Sequence, residues 1–404
     1  MYDVIVVGAR CAGATTAMLL ARAGMKVLLV DRAALPSEIP HGHFIHLHGP
    51  RRLARWGLLE PILATNCPQV TSILSDFGDH ALTGHDLVVE GVPLGVAPRR
   101  MQLDQVLVDA AVEAGAELRD RFAVQDYTFD GERMTGVVGR DARSATRVTE
   151  EAAIVVGADG RNSRLARRVA APVREEAPRA TCWYFSYYSD LPCTGLELYG
   201  RPGRVIFVFP TNDDLTGLFV GFPIDELAAV RADVEGHILS TVDAIGQLGE
   251  RVRGGRREER FYGATQLPNF LRKPTGPGWA LVGDAGAHKD PFMALGICDA
   301  LRDADLLAEA IGDGLAGRRP LDDALASYEQ RRNEATLPDY HANLAMAQLG
   351  PLPPQHLRLR AALRDNPEAT NQFFLATEGM VDPQAFFDEE NIVALIAGAA
   401  VAQA

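Results

Sequence analysis

Three short stretches of glycine and carboxylate hold the residues of this 404-residue chain whose types and spacing can do chemistry. The first is Gly8-Ala9-Arg10-Cys11-Ala12-Gly13, with Asp31 eighteen positions after Gly13. The second is Gly157-Ala158-Asp159-Gly160-Arg161-Asn162-Ser163. The third is Gly283-Asp284, with Pro291 and then Gly296-Ile297-Cys298 beyond it. Each stands where an apolar, strand-like run gives way to a loop or a helix. Glycines at such turns let the backbone bend sharply and come close to a phosphate. A helix N-terminus adds unpaired N–H groups and the positive end of a dipole. A carboxylate at the end of the second strand accepts hydrogen bonds from ribose hydroxyls. The chemistry that these residues share is the holding of a dinucleotide.

The elements needed to position the first stretch are present in order. Met1 to Val7 reads as a buried parallel strand, Ala14 to Ala23 as a helix stopped at Gly24, and Lys26 to Val30 as a second strand ending in Asp31. One position departs from the usual pattern, because Arg10 replaces the middle glycine and the fingerprint becomes G-x-R-x-x-G. The side chain could point outward while its N–H serves the phosphate, or it could add charge to the phosphate site. An ordinary glycine-containing turn is the alternative for the motif as a whole.

Composition narrows the class of protein. Apolar residues make up 47% and charged residues 23%, as in a globular domain, and the length suits two or three structural units. A net charge of -13 argues against general binding to nucleic acid or an anionic membrane. Cys11, Cys67, Cys182, Cys193 and Cys298 form no metal-type spacing, and an odd, sparse set suits a reducing cytoplasm. Residue 2 already begins the first strand, so no signal peptide is expected. Ile392 to Ala404 is too short to span a bilayer and is expected to form a packed terminal helix. His41, His43, His46 and His48 invite a metal reading. No carboxylate or cysteine is interleaved, however, and the expectation is a loop beside a cofactor with no metal.

The rest of the chain supplies the scaffold. Helices are expected over Arg51 to Leu59 and from Arg100 to Gly115, with a β-meander over Val124 to Thr149. From Arg179 to Phe222 the sequence becomes β-rich and aromatic, with strands at Thr181 to Tyr188, Val205 to Phe209 and Leu218 to Val220. A helix over Asp225 to Ile245 and a strand over Arg260 to Gln266 complete an antiparallel unit. Arg251, Arg253, Arg256 and Arg257 read most simply as a solvated helix end, with a nicotinamide cofactor's phosphate as the alternative partner.

Together and in this order, the three motifs resemble those of FAD-dependent single-component monooxygenases of the p-hydroxybenzoate hydroxylase type. The resemblance covers residues 1 to about 330. It implies an α/β fold, with a Rossmann-like FAD-binding domain over 1–174 and 268–330, and 70–99 contributing to the substrate domain. An antiparallel-sheet substrate domain is inserted at 175–267, and a C-terminal helical region follows at 331–404. Gly8 to Gly13 and Asp31, where the family more often has Glu, resemble its ADP-binding unit. Asp159 and Gly160 resemble its DG motif, and Gly283-Asp284 its GD motif, whose aspartate holds the ribityl chain. Arg100, heading R-x-x-L-D-x-x-L, matches a position that contacts FAD. The family's histidine after G-D-A-A is Ala287 here, with His288 one step later, and its P-x-x-G-x-G-x-N runs from Pro291 to Cys298 with several substitutions.

The implied activity is oxygenation of an aromatic or polyketide-like small molecule by way of a flavin C4a-hydroperoxide. FAD would be bound non-covalently, and NAD(P)H would visit as a transient reductant. No side chain is assigned a catalytic role, because the chemistry centres on the flavin. The first turn at Gly296, Ile297 and Cys298 would face the negative charge of reduced flavin. A reductase of the geranylgeranyl reductase type, acting on a prenyl chain, is the alternative, and a non-catalytic FAD-binding protein is a further one. A halogenase lacks support because Trp56, Trp183 and Trp279 stand outside any W-x-W-x-I-P motif. Alternation along Thr181 to Tyr188 puts Trp183, Phe185 and Tyr187 on one face and Tyr184, Ser186 and Tyr188 on the other. The all-aromatic face is expected to be core, and Tyr184, Ser186 and Tyr188, with His43 and His288, are the expected substrate contacts.

Overall fold

Val4, Ile5 and Val6, and all four residues of Val27–Val30, are buried with no polar alternation, the mark of strands covered on both faces. The computed structural model describes residues 1–37 and 40–402, except for the side chains of 399–402. Two compact units form: Met1–His41 with Arg100–Pro178 and Pro268–Asn343, and Gly42–Arg99 with Arg179–Leu267 and Leu344–Ala404. Residues 42–69 and 344–404 thus group with the second unit, whereas the sequence reading drew its boundaries elsewhere.

In the first unit, strands Glu117–Arg119, Val27–Val30, Tyr2–Val7 and Arg147–Gly157 lie side by side in parallel, and Trp279–Leu281 pairs parallel to the last. Val7 is opposite both Val30 and Gly157, and Gly157 is opposite Leu281. All four central strands therefore finish in line, and the three glycine turns and Asp31 leave the sheet at one edge. That edge is where open α/β sheets bind ligands. The expected meander is present over Phe122–Asp130, Arg133–Asp141 and Arg147–Gly157. Its third strand runs on without a break into the second glycine motif. It extends past the expected end at Thr149 and carries Glu150 and Glu151 within it.

In the second unit the sheet order is Arg256–Arg257, Thr181–Ser189, Thr216–Pro223, Arg204–Pro210, Leu196–Arg201, Ile73–Asp76 and Ala81–Gly84. The helix expected over Asp225 to Ile245 is broken at Asp233, whose carboxylate accepts the Gly236 N–H and starts a new helix at Val234–Asp243. The helix expected over Arg51 to Leu59 is likewise two, Gly49–Arg55 and Leu59–Leu63. A C-terminal helix runs over Glu389–Ala402, and the last two residues of the expected segment lie outside the described residues. Among the described residues no helix is long and apolar enough to cross a membrane.

The faces of strand Thr181–Ser189 are the reverse of the expectation. Tyr184 and Tyr188 share a buried cluster with Phe222, Val220 and Ile206, and with Val230, Ile238, Val242, Leu248 and Val252 of three helices. Those helices carry aliphatic residues that cover whichever face they meet, and they meet this one. Trp183, Phe185 and Tyr187 lie on the opposite face, where Trp183 stacks on Phe207 and Phe185 on Phe219. Phe222 is fully buried on the helix-facing side. Phe222→Ala is expected to cost about 3–5 kcal/mol of stability. An unchanged urea midpoint would contradict this packing.

Candidate functional site

The fingerprint turn is fixed by backbone contacts. An added Cβ on Gly13 would stand 1.7 Å from the Gly8 carbonyl oxygen, and Gly8 itself has φ +106. The helix Cys11–Arg22 can thus start directly over the first strand only if residue 13 has no side chain. Its first intrahelical bond runs from Ala14 N–H to Arg10 C=O, so the N–H groups of Cys11, Ala12 and Gly13 have no intrahelical acceptor. Asp31 accepts the Ala9 N–H on one oxygen and the Ala33 N–H on the other, both at 2.8 Å. Each oxygen keeps a further lone pair for a ribose hydroxyl. Gly283 packs its turn against the same helix, since a Cβ there would lie 2.7 Å from Ala12 Cβ.

Arg10 is turned sideways by a residue that the sequence reading left out of the site. Asp104, almost fully buried, takes Arg10 Nη1 at 2.7 Å and Arg100 Nη2 at 3.0 Å, and Cys11 Sγ lies 3.5 Å from it. Arg10 Nη2 also donates to Ser37 Oγ. The i, i+4 spacing of Arg100 and Asp104 on one helix was the available signal. Burial tends to lower the Arg100 pKa, but the carboxylates of Asp104 and Asp284 outweigh it and hold the guanidinium charged.

His41 reports how closely the motifs converge. Its side chain is exposed by surface area, yet the protein packed closely around it pushes its pKa down to about 4. Arg100, Arg161 and Arg10 lower it as well, and Asp284 opposes them. One imidazole is therefore within electrostatic reach of all three glycine motifs and of Arg100. Asp159 is pushed up by burial, although Ser163 and the N–H groups of Arg164 and Leu165 pull it back. Its Oδ2 accepts the Arg164 N–H, and Ser163 caps the following turn through the Ala166 N–H. Gly160, at φ +75, has open space around it.

Beyond Asp284 the loop is held firmly. His288 stacks on Phe270 and bonds the Pro268 carbonyl, so its ring is already committed to the scaffold. Pro291 opens a short turn capped by Asp290, and helix Gly296–Leu315 follows. Its first intrahelical bond runs from Asp299 N–H to Leu295 C=O, and nothing lies within 4 Å of a Cβ added at Gly296.

In the second unit, the ring-bearing sheet face holds a hydrogen-bonded pair, His43 and Tyr187. His43 Nδ1 lies 3.0 Å from the Ala97 carbonyl, which can only accept, so Nδ1 carries the proton. In the neutral ring Nε2 is then the acceptor, and the Tyr187 hydroxyl donates to it at 2.9 Å. Phe209 and Phe219 stack at 5.0 Å beside this pair, and the Arg99 guanidinium sits 3.9 Å over the Tyr187 ring and is paired with Glu259. Ser186, expected at the substrate, donates instead to the Glu259 carbonyl on the other face. His46 pairs with Glu378 at 2.7 Å. The four arginines of the basic run each face a carboxylate: Arg251 with Glu197, Arg253 with Asp243, Arg256 with Glu258 and Arg257 with Glu235. Those pairings leave the nicotinamide-phosphate alternative without support.

With this geometry in hand, the chain matches the FAD binding domain family over residues 1–221 of its 404. It belongs to that family. The flavoprotein is 26% identical over 344 residues to digeranylgeranylglycerophospholipid reductase 2 of Methanothermobacter thermautotrophicus, spanning 82% of this chain and 83% of the relative. Its fold is similar to that of the myxobacterial chondrochloren halogenase CndH, with TM-score 0.78, 21% identity and 98% and 96% of the two chains covered. It is also similar to PqsL of Pseudomonas aeruginosa in complex with 2-aminobenzoylacetate, with TM-score 0.72, 21% identity and coverage of 93% and 99%.

The first unit fits the cofactor. Arg100 Nε and Asp159 Oδ1 are buried without a hydrogen-bond partner among the described residues, at two of the motifs that would hold it. Gly8 to Gly13 would receive the diphosphate, Asp31 the ribose and Asp284 the ribityl hydroxyls, with Gly296 to Cys298 toward the ring. Asp284→Ala is expected to cost roughly 1.5–3 kcal/mol of FAD affinity, and Asp284→Asn less. Equal dissociation constants for all three proteins would remove Asp284 from the site. His41 gives a pH test on FAD-free protein. Its pKa is about 4 when folded, against about 6.5 unfolded. The unfolded chain therefore binds a proton that the folded one refuses, and stability falls as pH drops through that window. His41→Gln should show a smaller difference in urea midpoint between pH 7 and pH 5 than the wild type does.

Proposed function

We propose that this flavoprotein is an NAD(P)H:oxygen monooxygenase acting on an aromatic or polyketide-like small molecule. The observation that carries the reading is the ring-lined sheet face with its His43–Tyr187 pair. Phe185, Phe209 and Phe219 are buried and stacked on one another, so an aromatic ligand would meet their ring edges, and the polar pair would fix its orientation. This takes the place of Tyr184, Ser186 and Tyr188 as the substrate surface. When bound, FAD supplies hydride acceptance from NAD(P)H and activation of O2. The protein's own task is to hold the substrate, exclude water and manage one proton.

Tyr187 can do the last of these. Its hydroxyl donates to His43 Nε2 and can accept a hydrogen bond from a substrate hydroxyl at the same time. Drawing that proton away makes a phenolic ring richer in electrons, which favours transfer of an electrophilic oxygen. The Arg99 cation over the Tyr187 ring eases the proton's passage by stabilising negative charge on the phenol oxygen. PqsL, of similar fold, was solved with the aromatic compound 2-aminobenzoylacetate, which supports an aromatic ligand. Cytoplasmic residence belongs to the same reading, on the sparse and odd set of cysteines.

The relative named as a digeranylgeranylglycerophospholipid reductase favours a second reading, in which bound FAD saturates a prenyl chain. Oxygen uptake with NADH or NADPH across a panel of phenols tests the first. Saturation of a geranylgeranyl lipid under anaerobic conditions, with no phenol stimulating oxygen uptake, would replace it with the second. Tyr187→Phe is expected to keep FAD and to lower kcat/KM about 2- to 12-fold, the worth of one hydrogen bond of about 0.5–1.5 kcal/mol. Tyr188→Phe, on the helix-facing side, is expected to leave kcat/KM unchanged.

A further inference from the structure

Helix Gly296–Leu315 begins beside a buried set of charges that no contact described above requires. Lys289 Nζ lies 2.7 Å from Asp299 Oδ2, and Arg302 Nη1 lies 2.9 Å from Asp299 Oδ1. Arg302 also holds Asp303 at 2.8 Å and donates to Thr336 Oγ1 at 2.7 Å. The side chains of Lys289, Asp299, Arg302 and Asp303 are only 5%, 12%, 7% and 2% exposed. Half-buried Asp339 is in Coulombic reach of Lys289, Asp299 and Arg302.

Ion pairs this deep seldom exist for stability alone, because the cost of desolvating both partners offsets their attraction. Nor does the loop need Lys289 to hold its shape. Asp290 N–H donates to Asn269 Oδ1 at 2.7 Å, Asn343 Nδ2 to the Asp290 carbonyl at 2.9 Å, and Met293 N–H to Asn343 Oδ1 at 3.0 Å. Neutral hydrogen bonds already fix the backbone on both sides of Pro291. What the ion pair adds is charge: a cation in the loop before the helix and an anion one residue after its first turn, Gly296–Cys298.

We propose that Lys289 and Asp299 set the electrostatic potential at that first turn, and so the reduction potential of the flavin held against it. The inference rests on the placement of FAD given above. Reduction adds negative charge to the flavin, so a buried cation nearby favours the reduced form and a buried anion opposes it. Paired, each blunts the other. The two are tuning residues, acting through the field at the helix start and not by touching substrate.

The test is the reduction potential of FAD in full-length, reconstituted protein, measured against reference dyes at fixed pH. Asp299→Asn leaves Lys289 with less opposing charge and is expected to raise the potential. Lys289→Met is expected to lower it. Lys289→Arg, which keeps the charge, should leave it near wild type, and the double variant Lys289→Met/Asp299→Asn should return toward wild type. A loosened loop would move both single variants in the same direction, so shifts of one sign overturn the inference, as does no shift in either. If a single variant fails to fold, the double variant and Lys289→Arg still decide. A potential displaced in Lys289→Arg but unchanged in the double variant supports the field only if Lys289→Gln displaces it downward, and otherwise the inference falls. Asp284→Ala separates this from the placement of FAD. Wild-type FAD affinity in that variant removes the placement itself, whereas lost affinity with like-signed potential shifts removes only the tuning by Lys289 and Asp299.

Discussion

The first unit depends on the closeness with which the start of helix Cys11–Arg22 sits on the strand before it. With 1.7 Å between a hypothetical Gly13 Cβ and the Gly8 carbonyl oxygen, no side chain of any kind is tolerated there. That contact aims the first N–H groups of the helix along the sheet edge. The parallel register then brings the other motifs to the same edge, since Val7, Val30, Gly157 and Leu281 lie in one row. A shift of one residue in any of these pairings would move a glycine turn out of line with its neighbours. The role of Gly13 is therefore packing of protein on protein. Close approach of a pyrophosphate would follow as a consequence of that packing.

How much could be read beforehand follows from where the information resides. Backbone-determined features were legible. The buried runs Tyr2–Val7 and Val27–Val30, the Asp31 that ends them and the long helix after Pro291 are local, and each has a residue-level signature. The choice of face in strand Thr181–Ser189 was not, because both faces are aromatic and alternation cannot rank them. It is decided by Val230, Ile238 and Val242, some forty to sixty residues away, whose aliphatic face claims Tyr184 and Tyr188. Asp104 was missed for a related reason. Its spacing from Arg100 was visible, but its bond to Arg10 joins residues 94 positions apart.

The same distinction explains why the cofactor is easier to assign than the reaction. A dinucleotide constrains main chain, and main chain constrains glycine, so the family leaves a readable trace over residues 1–221. A small substrate constrains only a few side chains on a sheet whose strands need no particular sequence beyond alternation. Proteins with this fold include one named as a halogenase, and a relative by sequence is named as a reductase. Their shared frame leaves the reaction open.

What differs between such proteins must then lie in groups that change the field at the flavin or the polarity of the substrate surface. In the readings proposed above, both are built the same way, by placing one charge or hydroxyl beside contacts that are neutral. The rings of Phe209 and Phe219 stack on each other, with Tyr187 edge-on to Phe219, and Asn269 and Asn343 bond the loop on both sides of Pro291. A polar group that is costly to bury needs partners, and in each case the partner carries charge or a hydrogen bond into the site. Because the neutral contacts fix position separately, the polar groups can vary from one member of the family to another while the frame stays intact. Reaction type can then change without loss of FAD binding, which is the pattern that a single fold serving several chemistries requires.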